Sequence, residues 1–326
     1  MREALFIKRN AEKWKRYQKQ RESDPDETAR RFITLMDDLA YARTYYPKSK
    51  VTRWINGIAA GFYQEIYRKR RHKLARAFSF WKFDLPLLFR KHHGVLLFTL
   101  VLFLLFVAIG VFSSHSNPDF ISAVLSPEYV EMTESNIKNG DPFGVYKDDN
   151  PFTMLVRIAL NNIRVSFLTF MGGFTAGLFT LNILWSNGLM LGSFQYMFFA
   201  HELGWQSVVV IWIHGTIEIA SLVIAGTAGF VVAKGILFPA TYTRLQSFRN
   251  AVRDAAKILV ALIPFFILAA FFESYITHKM SRTFESGVTG GLPVWVGFSI
   301  LILSFLFICW YFIFYPIKLH KASLKK

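Results

Sequence analysis

One cysteine, Cys309, stands in 326 residues, and it lies inside an apolar run. An intrachain disulfide framework and a cysteine-built metal site are therefore excluded. Acidic residues are scarce, with 22 Asp+Glu against 38 Lys+Arg and a formal net charge of +16. No long apolar segment comes before about Gly94, so a cleavable leader is not expected. Also missing are the H-E-x-x-H pattern, the G-x-S-x-G nucleophile turn, a phosphate-cradling glycine loop and a paired-carboxylate hydrolase arrangement. The reading that follows is of a protein that is not an enzyme and carries no cofactor.

What is abundant is apolar and aromatic. Hydrophobic residues make up 53% and aromatics 17%, with 34 Phe and a mean hydropathy of +0.30. Uninterrupted apolar runs reach membrane-spanning length. The charge is unevenly placed: residues 1–93 hold 23 Lys+Arg against 10 Asp+Glu, so 13 of the 16 excess charges fall there. This asymmetry marks the cytoplasmic side of a membrane protein and argues against nucleic acid as a partner. The expected class is all-α, a polytopic membrane bundle of about six helices with an N-terminal cytoplasmic helical hairpin.

Residues 1–92 read as a cytoplasmic helical and interfacial region. A weak aromatic face (Ile7, Asn10, Trp14, Tyr17) is followed by the stop and restart Ser23-Asp24-Pro25-Asp26. Two amphipathic stripes come next: Phe32, Leu35, Met36, Leu39, Ala42 and Tyr46, then Ile55, Ile58, Ala59, Phe62 and Ile66. The basic cluster Arg68–Lys73 precedes Phe78–Phe83, which suits a segment lying among lipid headgroups. A transmembrane bundle is expected over 93–317, with an external loop at 113–150 and a basic cytoplasmic tail at 318–326. Spans are placed at about 94–112, 152–184, 188–199, 206–232, 256–276 and 293–314, with Asn187-Gly188 as a turn. The loop carries seven acids and only two lysines. An even number of crossings puts both basic ends inside and this loop outside.

The densest polar point in the apolar region is His214-Gly215-Thr216-Ile217-Glu218. His214 and Glu218 are four apart and share a helix face, which continues through Ser221, Ala225 and Gly229. A carboxylate in hydrocarbon costs several kcal/mol unless paired or neutralised, so this face is turned toward protein or water. The expected intramembrane polar network is His214, Glu218, Asn161, Asn162, Arg157, Arg164 and Glu273, with Arg157, Asn161, Asn162 and Arg164 supplied by the preceding span. Helix packing is assigned to Gly173, Gly177, Gly188, Gly192, Ala225 and Gly229, since small residues let helices approach in lipid. A metal site needs a third and usually a fourth ligand. His201, Glu202, Glu273 and His278 are the available types, but no spacing forces them together, and no metal is assigned.

Several short stretches occur in an order that resembles the stage II sporulation protein M family. They are Glu12-Lys13-Trp14, Asp38-Leu39-Ala40-Tyr41-Ala42-Arg43 and Tyr45-Tyr46-Pro47, then Asn161-Asn162, Gly172-Gly173, Asn187-Gly188, His214-Gly215 with Glu218, and Phe272-Glu273 with Thr277. Members commonly have Pro before the His-Gly, where this chain has Ile213. The resemblance implies a multi-span protein of the cell membrane. By analogy with the family's named member, it also implies a non-enzymatic anchor for hydrolases that remodel peptidoglycan. Implied partners are the bilayer, other envelope or membrane proteins and a second copy of the chain. A transporter or channel for a small solute, ion or lipid, using the His214/Glu218 face, is the alternative.

Overall fold

The structure is a computed structural model describing residues 2–19, 24–67, 77–144 and 150–324. The basic cluster 68–73 lies outside the described residues. The chain divides into two compact units, Met1–Phe78 and Ser79–Lys326. The segment 79–92, expected to belong with the N-terminal region, thus groups with the membrane unit.

The N-terminal unit consists of α1 (Glu3–Lys19), α2 (Pro25–Tyr45) and α3 (Lys50–Tyr67). It is a three-helix unit rather than a hairpin, because α1 adds its own core residues. Phe6 and Trp14 pack with Leu35, Leu39, Ala42, Val51, Ile55, Ile58, Ala59 and Phe62. Trp14 is fully buried, and its indole N–H donates to Asp38 Oδ2 at 2.7 Å. The same oxygen receives Lys13 Nζ at 2.6 Å. Two of the short sequence stretches, around Trp14 and Asp38, are therefore joined by one buried, charge-assisted contact. Asp24 caps α2 by accepting from the Asp26 amide, with Pro25 at the first helical position.

The membrane unit begins with a π-helical turn, Phe80–Asp84, that runs into α4 (Leu85–Lys91) and then α5 (His93–Ser116). The region expected to be an external loop is folded, with α6 (Asp119–Leu125) and α7 (Pro127–Lys138). Next come α8 (Pro151–Met171), α9 (Leu178–Ala200), α10 (Gly204–Leu237) and α11 (Arg244–Phe271). A second π turn, Phe272–Thr277, leads to α12 (His278–Ser281). The unit ends with α13 (Val294–Cys309), a third π turn at Trp310–Phe314, and α14 (Tyr315–Ser323). Among the described residues, five stretches are long and apolar enough to cross a membrane: His93–Ser116, Pro151–Thr175, Gly204–Leu237, Arg244–Phe284 and Val294–Ser323.

Two expected boundaries move. The helix placed over 152–184 breaks after Met171, through a 3-10 turn at Gly172–Thr175 and left-handed residues Ala176 (φ 53°) and Gly177 (φ 89°). The expected short span 188–199 is accordingly part of the longer α9, with Asn187-Gly188 inside the helix. Asn187 donates its side-chain amide to Ile183 O, a bond along the helix rather than across a turn.

Residue pairing fixes the relative directions. Asn162 lies by Glu218, and Gly173 meets Gly229, so α8 and α10 run parallel. Between them α9 runs back, with Thr180 beside Gly229 and Gln195 Oε1 accepting from Trp212 Nε1 at 2.9 Å. At about 1.5 Å per residue its 23 residues extend about 35 Å, enough to cross a bilayer although its composition is less apolar. On α5, Phe106 and Ser114 meet Gly188 and Ser193 of α9, so those two helices are parallel. Ser247 donates to Gly235 O at 2.8 Å while His214 meets Thr277, which makes α10 and α11 antiparallel. In chain order, α5, α8, α9, α10 and α11 thus alternate in direction.

At the end where α5 and α11 begin, Lys91 and His92 both reach Asp254 Oδ2, at 2.6 and 3.1 Å. The tyrosines of the last π turn and of α14 hold the first π turn: Tyr311 donates to Trp81 O at 2.7 Å and Tyr315 to Lys82 O at 2.9 Å. At the opposite end, α6 and α7 contribute Ile121, Leu125, Tyr129 and Val130 to a cluster around Phe143, Met197, Phe198, Val209, Ile213 and Met280.

Candidate functional site

The site is assembled from two helices that each present a pair of residues four apart. On α10 these are His214 and Glu218. On the π turn after α11 they are Glu273 and Thr277. Because the helices are antiparallel, the pairs face each other crosswise. His214 Nδ1 and Thr277 Oγ1 are 2.9 Å apart, both residues buried. One ligand-type atom each from His214, Glu218 and Glu273 falls within 4.8 Å of the others. Helix α8 supplies the third wall through Asn162, which faces Glu218. From α7, Tyr129 lies within electrostatic reach of Glu273.

The π turn decides this geometry. An i→i+5 turn inserts one residue relative to α-helical phasing and is found disproportionately at functional sites. Here it carries both Glu273 and Thr277 onto the α10-facing side. Glu218 and Glu273 keep partial exposure, whereas His214 is buried.

Not all of the expected network is present. Asn162, His214, Glu218 and Glu273 come together. Asn161, Arg157 and Arg164 lie on exposed faces of α8. Helical phasing explains this: relative to Asn162 these positions are turned by about 100° to 200° at 100° per residue. Among the described residues, no Lys or Arg forms an ion pair with Glu218 or Glu273. Two ionised carboxylates about 4.8 Å apart repel by roughly 3 kcal/mol at an effective dielectric of 20. The pair therefore calls for a proton or a cation between its members.

Of the other possible ligands, His201 bonds Met197 O at 2.8 Å in the turn after α9, and Glu202 is exposed there at φ 61°. Only Glu273 joins the His214–Glu218 pair. Sequence reasoning missed Thr277 as a site residue. The hydroxyls of Ser166 and Ser274 are buried without a hydrogen-bond partner, as is the amide nitrogen of Asn162. Thr277 stood among the stretches that carry the family resemblance, but no spacing rule pairs residue 214 with residue 277.

The small residues mark where backbones touch. A Cβ on Gly173 would collide with the Gly229 carbonyl and lie 2.8 Å from Val232 Cβ. One on Gly229 would lie 2.6 Å from Thr169 O. Gly188 meets Phe106, Gly192 meets the α5 backbone at Val107 and Val111, and Ala225 is fully buried. Gly177 differs from the rest: it is the left-handed residue that turns the chain into α9.

Residues 99–278 match the family described as Stage II sporulation protein M, and residues 4–68 match a domain of unknown function, DUF8413. An uncharacterized protein of Methanocaldococcus jannaschii is 30% identical over 129 residues, covering 38% of this chain and 71% of that protein. No solved structure matches. The first match takes in α8 to α11 and every residue of the His214–Glu218–Glu273 site, and the chain belongs to the stage II sporulation protein M family.

Proposed function

We propose that this membrane protein is a non-enzymatic scaffold of a cell-envelope complex, holding partners on both sides of the cell membrane. The observation that carries the reading is the presence of two folded elements beside the crossing helices: the three-helix N-terminal unit with its own core, and helices α6 and α7, which pack on one end of the bundle. Neither is needed merely to cross a bilayer. The N-terminal unit leaves Ile33, Tyr45 and Tyr63 largely exposed, and such apolar side chains suit a protein partner. By the family resemblance, the partner class is a peptidoglycan-remodelling hydrolase. In this reading the basic end, both chain ends and residues 235–254 are cytoplasmic, with α6 and α7 outside.

Two experiments test the proposal. The full chain is affinity-purified from native membranes beside an unrelated multi-pass protein. An envelope hydrolase should be recovered specifically and lost with Met132→Glu, a substitution at an exposed side chain of α7. Recovery no better than the control overturns the scaffold role. For orientation, Cys309→Ser is combined with Ser135→Cys or Thr241→Cys, both exposed positions. An impermeant thiol reagent on intact cells should label the first and spare the second; the opposite pattern reverses the topology.

The crossing-region cluster of two carboxylates and a histidine favours a second reading, passage of a proton or cation. Liposomes holding wild type or Glu218→Gln separate the two. A flux present in wild type and absent in a stable Glu218→Gln protein would replace the scaffold reading.

A further inference from the structure

We propose that His214, Glu218 and Glu273 form a mononuclear site for a divalent transition-metal ion, walled on one side by Asn162. The donor set is one imidazole nitrogen and two carboxylate oxygens, already within 4.8 Å of one another. Ligand atoms around zinc, at bond lengths of about 2.0–2.2 Å, sit about 3–3.5 Å apart. Small rotamer adjustments therefore close the site without moving a helix.

Three further features are those of a metal site. The first is support behind the histidine: Thr277 Oγ1 lies 2.9 Å from His214 Nδ1 and fixes the ring, so Nε2 is the nitrogen directed to the ion. The second is Asn162, 8% exposed, whose side chain approaches the Glu218 carboxylate while its amide nitrogen stays outside good hydrogen-bond geometry. A metal-bound water gives it an acceptor, and the amide turned by half a rotation offers its oxygen as a fourth ligand. The third is charge. Two carboxylates face each other with no Lys or Arg ion pair among the described residues, and a dication neutralises both.

The chemistry narrows the ion. Imidazole with carboxylates suits Zn²⁺, Mn²⁺ or Fe²⁺, whereas Mg²⁺ and Ca²⁺ prefer all-oxygen shells and Cu⁺ prefers sulfur. The ligands come from α10 and the π turn after α11, so the ion ties those two helices together at the point where Asn162 of α8 meets them. This inference is independent of the scaffold reading.

The test uses the full chain in detergent, tag removed and stripped with chelator, titrated with Zn²⁺, Mn²⁺ and, for comparison, Mg²⁺. About one Zn²⁺ or Mn²⁺ per chain should bind, with a saturable rise in melting temperature, and Mg²⁺ should do neither. Glu273→Gln and His214→Ala should each weaken binding at least tenfold, as should Thr277→Val, which touches no metal. His201→Ala and His278→Ala should bind as wild type does. X-ray absorption on the wild-type zinc form should show nitrogen and oxygen neighbours with one imidazole, a readout that needs no variant to fold. The proposal is overturned if no stoichiometric ion binds, if more than one imidazole is seen, or if folded Glu273→Gln keeps wild-type affinity.

Discussion

Helices α10 and α13 both have the composition of a membrane span, yet the bundle treats them oppositely. The span containing α13 has the higher mean hydropathy, 2.4 against 2.1, but only 17% of it is buried against 72% for α10. In lipid, apolarity does not drive a helix inward, because acyl chains solvate Leu and Phe as well as protein does. What draws α10 to the centre is side-chain size and polarity. It carries Gly226, Gly229 and Gly235, Ala225, Ala228 and Ala233, Ser221, Thr227 and the His214–Glu218 pair. By contrast, α13 presents Phe298, Leu303, Phe305, Leu306 and Phe307 to the surroundings. Hydropathy locates a span, and small or polar residues locate the core.

The strongest way to break this contrast is to give α10 and its neighbour the bulk that α13 tolerates. Gly173→Leu should cost about 3 kcal/mol or more, because the added side chain meets the Gly229 backbone, which has no rotamer to change. Thermal unfolding of the purified protein should show it as the largest loss of any variant described here. A melting temperature within a few degrees of wild type would mean that α8 and α10 are not in contact.

A polar substitution tests the same centre less drastically. Glu218→Leu leaves Asn162 and Glu273 facing a hydrocarbon side chain and should lose about 1–3 kcal/mol. Glu218→Gln keeps the size and most of the hydrogen-bonding capacity, so it should stay within about 1 kcal/mol of wild type in chelator-treated samples. Equal losses for Leu and Gln would show that charge, not polar pairing, holds α10 in place.

Gly177→Ala sharpens the distinction between a packing glycine and a turning one. Its Cβ finds Ala233 at 3.1 Å, a tight but adjustable contact, whereas φ 89° is unfavourable for any L side chain. About 1–2 kcal/mol should be lost, and Gly177→Asn, which tolerates left-handed backbone better, should recover part of it. Asn no better than Ala would trace the loss to packing.

The smallest effect belongs to α13. Leu303 is 66% exposed, and Leu303→Ala should change stability by no more than about 0.5 kcal/mol in detergent. A loss above 2 kcal/mol would mean that a partner or second copy covers this face.

Particular residues show how far the sequence could be read. The apolar runs and the lopsided distribution of Lys and Arg were enough for a helical membrane bundle, since hydrocarbon leaves few other ways to satisfy a backbone. The i, i+4 spacing of His214 and Glu218 was enough to put them on one face. The break at Gly172–Gly177 escaped, because a glycine pair in an apolar run reads equally well as a packing seam inside a helix. Arg157 and Arg164 misled for a related reason: a long polar side chain near a span end marks a helix, but its direction depends on which neighbour the helix meets.

By itself, then, the sequence determined the class, the spans in outline, and the two-residue kernel of the site, all of which follow from local composition and helical period. Only the tertiary structure decided that α8 lies parallel to α10 and that α9 runs whole between them. It alone turned Glu273 and Thr277 toward His214 and Glu218. Those facts depend on contacts between residues up to 63 apart and on a π turn that shifts the phase of a helix by one residue. No periodicity within either helix records the register of one against the other, because that register is set where backbones can approach closely, and Gly173 in the turn after α8 and Gly229 in α10 permit it at one place.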